Sequence, residues 1–104
     1  MRIYVVSLES VQTVGPTVYG NDTVDQQKDY SVQKGFGSRE EAERYISEKI
    51  AGVEKMCHDR PGIHGRFSRN GEHSCSWVNT YAMDSISSIS QHILTEYSIT
   101  ELDI

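Results

Sequence analysis

The sequence predicts a single α+β domain: a small, mainly antiparallel sheet of about four to five strands, packed against a principal helix (38–56) and a shorter one (about 85–94). Three observations carry this. Residues 38–56 repeat apolar side chains at three- and four-residue steps. Several short runs are β-rich or alternate. Turn residues separate these stretches. At 104 residues the chain has the size of one domain, 1–104. The expected order is strand, strand, helix, strand, strand, helix, strand.

Residues 1–8 open with Ile3, Tyr4, Val5, Val6 and Leu8, apolar on both faces. Such a run suits an interior strand with a helix over at least one side. Residues 9–29 turn polar, with Gly15-Pro16 and Gly20-Asn21-Asp22, and read as a long polar arm or loop. A structureless stretch of that length is unusual in a compact domain, so a hairpin arm is expected, with Thr17-Val18-Tyr19 as its strand fragment. Residues 30–36 alternate, placing Tyr30, Val32 and Phe36 on one face.

Ser38 and Glu41 then form an S-x-x-E capping box. Ala42, Tyr45, Ile46, Ile50, Val53 and Met56 share one helical face. Glu40 with Arg44, and Arg44 with Glu48, sit four apart on the other. Pro61-Gly62 stops the helix. Residues 57–78 are read as a loop plus a β-hairpin inserted into the scaffold. Asn70-Gly71 favours a type I′ turn, which would pair Arg69 with Glu72, Arg66 with Cys75 and His64 with Trp77. His64, His73, Cys75 and Trp77 would then share a face. Asp84 can cap the second helix, whose Ile86, Ile89, Ile93 and Leu94 share a face although its serines weaken it. Residues 96–104 read as a closing strand.

The MRIYVVS opening, the GFGSREEAERYI strand-to-helix junction and the YSITELDI ending resemble small, mostly uncharacterised phage and prophage proteins. The resemblance covers about 43 residues, namely 1–8, 30–56 and 96–103. It implies the α+β scaffold and a mobile-element setting, and it carries no functional residue. Residues 57–75 and the second helix fall outside it.

A net charge of −5 with scattered Lys and Arg argues against sequence-independent nucleic-acid binding. The four-residue apolar run near the start is too short for a signal peptide, and two cysteines make no disulfide scaffold. A reducing cytoplasm is expected, in the host cell if the protein is phage-encoded.

Three functions are open. The first is a binding module, an accessory protein docking on a host or bacterial-defence protein, with an inhibitor of defence as its concrete form. Tyrosine and tryptophan are enriched at binding hot spots, so Tyr19 and Trp77 are candidate contacts. Asn21 and Asp22 in the arm, with Arg69 and Asn70 at the hairpin tip, accompany them. The second is a small domain stabilised by zinc on Cys57, His64, His73 and Cys75, since thiolate and imidazole are the ligands of closed zinc sites. Neither cysteine belongs to a C-x₂-C pair. The third is a cysteine-dependent enzyme in which His73 activates Cys75. No P-loop, G-x-S-x-G or H-E-x-x-H is present. The binding reading therefore leads: no enzyme, no cofactor, no membrane. A homodimer is compatible with it if the C-terminal strand lies at a sheet edge.

Overall fold

In the computed structural model, residues 1–16, 25–82 and 88–104 are described. The elements are β1 (Arg2–Pro16), β2 (Asp25–Phe36), α1 (Arg39–Asp59), β3 (His64–Gly71), β4 (Ser74–Ala82) and β5 (Ser88–Asp103). They build one five-stranded sheet in the order β2-β1-β5-β4-β3. Every neighbouring pair is antiparallel. The domain is therefore α+β, with α1 on one face of the sheet.

Ser38 starts α1 as expected: its hydroxyl accepts from the Glu41 N–H at 3.2 Å. The helix continues three residues past Met56, and the Arg60 N–H closes its last turn on the Met56 carbonyl. On the surface the i,i+4 ion pair is Arg39–Glu43 at 3.4 Å, and Arg39 also reaches Glu101 at 3.7 Å. The apolar face is the one the periodicity marks. Ala42, Ile46 and Ile50 are 0% exposed and enclose Val6 of β1 and Cys75 of β4, also 0%. Tyr4, Phe36, Tyr45, Phe67, Trp77, Tyr97 and Ile99 pack around them. The Phe36 and Tyr45 rings stand 5.3 Å apart.

The polar stretch after Leu8 is mostly strand. Residues 9–16 continue β1, residues 25–29 begin β2, and they pair from Glu9↔Tyr30 to Val14↔Asp25. Thr17-Val18-Tyr19 lies outside the described residues. A bulge sits where Val6 faces Lys34 but Ser7 faces Val32, leaving Gln33 as the extra residue. Gln33 turns toward the helix and accepts from the Tyr45 hydroxyl at 3.3 Å. One added residue reverses the faces of everything before it. Tyr30 and Val32 consequently stand on the face opposite Phe36, 69% and 65% exposed, instead of sharing its buried side.

The expected second helix is corrected. Ser88–Leu94 belongs to β5, paired with β1 on one side and β4 on the other; residues 85–87 lie outside the described residues. Serine and β-branched isoleucine give little helical propensity, and two waiting strands offer ladders on both flanks. Ile93 and Thr95 are buried on the helix side of the sheet. The C-terminal strand is therefore flanked by β1 and β4 through Glu96; beyond Tyr97 its ladder is with β1 alone among the described residues. β5 also joins the β1–β2 half of the sheet to the β3–β4 half.

The hairpin is corrected as well. The reversal falls at Glu72-His73, with Gly71 facing Ser74. Cys75 faces Arg69 rather than Arg66, and His64 faces Asn79 rather than Trp77. The continuous ladder with β5, from Ser74↔Glu96 to Ala82↔Ser88, and burial of Cys75 under α1 fix β4 first. β3 adapts through a second bulge between Gly65 and Ser68. Arg66 occupies it at φ 54, a left-handed conformation that costs a non-glycine residue about 1–2 kcal/mol.

Candidate functional site: the helix-free sheet face and the open β2 edge

The residues expected to act together disperse. Tyr19, Asn21 and Asp22 lie outside the described residues. Arg69 pairs with Glu54 at 3.6 Å, and the Asn70 amide donates to the Ser76 hydroxyl at 3.2 Å. Both are exposed, but both already serve the fold. Trp77 does not project. It is half-buried against the core, and its indole N–H is buried without a partner among the described residues.

The Cys/His set does not assemble either. Cys57 and Cys75 are buried as free thiols. The Cys75 thiol meets the Thr95 hydroxyl at 3.3 Å. His73 sits in the β3–β4 turn, and His64 is engaged elsewhere. Among the described residues, no three His, Cys, Asp or Glu side chains converge as a metal ion needs. A nucleophile at Cys75 would have to attack from a fully buried position, with a threonine rather than His73 as its partner.

Burial, and then the neighbouring Cys75 thiol, push the Cys57 thiol above its ordinary value of 9.0. Burial, with Cys75 and Tyr45 adding to it, raises the Tyr97 phenol above 10.0. A thiol or phenol whose folded value is raised contributes stability that is complete below its unfolded value and lost as pH rises through the folded one. The melting temperature is therefore expected to be flat from neutral pH to about pH 8 and to fall above about pH 9. Iodoacetamide should label both cysteines at least about tenfold faster in urea than in native buffer. A thermal series over pH and a timed alkylation check the pair.

His64 belongs to a chain of side chains running across the helix-side face. Its Nδ1–H donates to Asn79 Oδ1 at 2.6 Å. The Asn79 amide donates to Gln91 at 3.3 Å, and Gln91 donates to Gln12 at 2.9 Å. Four strands are thus tied by polar groups that satisfy one another, with Asn79 itself buried. The histidine is an anchor of this row.

What remains open is the other face. Among the described residues it carries no helix, and its exposed or half-buried positions include Val5, Glu9, Val11, Tyr30, Val32, Val78, Leu94 and Leu102. A groove of about 430 Å³ crosses it, lined among others by Val11, Thr13, Arg66, Val78, His92 and Leu94. Along one side runs β2, which among the described residues pairs only with β1 and leaves its outer edge unpaired. Every residue from Gln26 to Val32 is exposed. The sequence carries a signal for the longer β1: Val11, Thr13 and Val14 are β-branched residues within the polar stretch. Neither bulge has such a signal, and the bulges decide where Tyr30, Val32 and Arg66 stand.

Fold and site together define a small antiparallel α+β domain with one uncovered sheet face. Comparison with family models, curated proteins and solved structures yields no match. Among the described residues, no helix is long and apolar enough to cross a membrane.

Proposed function

We propose that this protein is a binding module that docks on another protein along the open edge of β2. The observation that carries the reading is the pair Tyr30 and Val32, 69% and 65% exposed on a twelve-residue edge strand. Unpaired N–H and C=O groups on such an edge can take up a partner strand, and side chains at alternate positions then select it. Lys28 and Lys34 on the same strand guard it against indiscriminate pairing. The partner class, a host or bacterial-defence protein inhibited by docking, rests on the phage-type resemblance of residues 1–8, 30–56 and 96–103. The host cytoplasm is the compartment that goes with it.

The test is quantitative capture from a bacterial lysate with the wild type and a Tyr30→Ala, Val32→Lys variant. At least one captured protein should fall by about tenfold or more, corresponding to about 1.4 kcal/mol of lost contact. Identical capture by both proteins removes the β2 edge from consideration.

A further inference from the structure

The helix-free face carries three bands. In the first, Glu9 of β1 and Glu96 of β5 stand directly opposite each other, both exposed. Neither has an ion-pair partner among the described residues. Like charges in that position repel, and no cation among the described residues is paired with them. The second band is apolar: Val11 faces Leu94, half-buried. The third carries the fixed positive charge of Arg66, with the His92 imidazole beside it on the walls of the groove. Arg66 is held there by a bulge in a conformation that glycine would adopt at lower cost. Lys28 adds a positive charge on the outer strand, level with Val11.

The acidic and basic bands are four residues apart along β1, about 14 Å. That exceeds the screening length of about 8 Å at physiological salt, so the two ends do not neutralise each other within one chain. We infer that the helix-free face is the interface of a symmetric homodimer, with Glu9 and Glu96 of each copy lying over Arg66 and His92 of the other. A two-fold axis through the Val11–Leu94 band brings acid onto base twice and closes apolar against apolar. A merely basic partner would satisfy the first band and be repelled by the third; a second copy satisfies both.

The area agrees. Each side chain on one sheet face covers about 33 Å², two strand rises by one strand spacing, so roughly twenty positions give about 650 Å². Specific protein–protein interfaces of standard size bury about 600–1,000 Å² per partner. This inference goes beyond the β2-edge reading: stacking the faces leaves the outer main-chain groups of β2 free, while Tyr30, beside Glu9, stands at the rim of the stack.

Sedimentation velocity on the purified full chain tests it, at about 100 μM protein in low and high salt. The wild type should sediment as a dimer in low salt and shift toward monomer in high salt. A Glu9→Lys, Glu96→Lys variant and an Arg66→Glu, His92→Glu variant should each be monomeric alone and form a heterodimer when mixed. All four side chains are exposed, so circular dichroism should be unchanged. Leu94→Lys, which sets an ammonium on the two-fold axis, should also give monomer. A wild type that stays monomeric in low salt overturns the inference and assigns the face to a different chain. So does a double-lysine variant that dimerises as the wild type does. The Tyr30→Ala, Val32→Lys variant is sedimented beside them and should still dimerise, so that a loss of its capture is read separately from the dimer.

Discussion

Replacing Ile46 with alanine is expected to remove about 2–5 kcal/mol of stability, the range for truncating a fully buried aliphatic side chain and leaving a cavity. Ile46 is 0% exposed and touches a core whose fully buried members are few: Val6, Ala42, Ile50 and Cys75. A domain of this size has about 5–15 kcal/mol in total, so one substitution takes a large fraction. At about 4–8 °C per kcal/mol, the melting temperature should drop by roughly 8–40 °C. The matched control is Ile104→Ala at a position 74% exposed, which should stay within about 0.5 kcal/mol of wild type. Thermal and urea melts of the two variants give the comparison. A drop of only a few degrees for Ile46→Ala would mean that α1 is not what closes the core.

His92→Pro in β5 should be comparably damaging, by about 3 kcal/mol or more, although its side chain is exposed. The reason lies in the backbone. His92 faces Thr13 on β1 and Val78 on β4, so its N–H points at one neighbour or the other and proline removes that ladder bond in either case. His92→Ala keeps the N–H and should melt close to wild type. Proline at exposed Arg2, the first residue of β1, should cost much less. If His92→Pro melted like His92→Ala, the segment would not be an interior strand.

The α1 helix was legible almost residue by residue, because a capping serine, an apolar stripe and a following Pro-Gly all act locally. The interior position of residues 1–8 was legible for the same reason. Ser88–Leu94 was not. Its isoleucines satisfy either period over so short a span, and only the strands on both sides decide between them. Asn70-Gly71 misled because local turn preference was outweighed by the β4–β5 ladder and by burial of Cys75. The cysteine and histidine cluster was a fact of chain proximity: residues close in sequence were spread over a helix end, two strands and a turn. The candidate surface was the least legible part. It depends on the Gln33 bulge and on Arg66, whose conformations answer to neighbouring strands rather than to their own side chains.

The place of β5 between two pre-joined pairs sets the order of assembly. β1 with β2, and β3 with β4, are each connected within a short stretch of chain and can form early. They become one sheet only when β5 enters between them and pairs with β1 across some 75–100 residues, a long loop closure that slows folding. Before that step the β1 and β4 flanks are bare edges carrying Val6, Val11, Trp77 and Val78, open to strands of other chains. Refolding at high concentration should therefore lose material to aggregates in proportion to how long β5 takes to arrive. A variant that weakens β5 should show this loss before it shows any defect in binding.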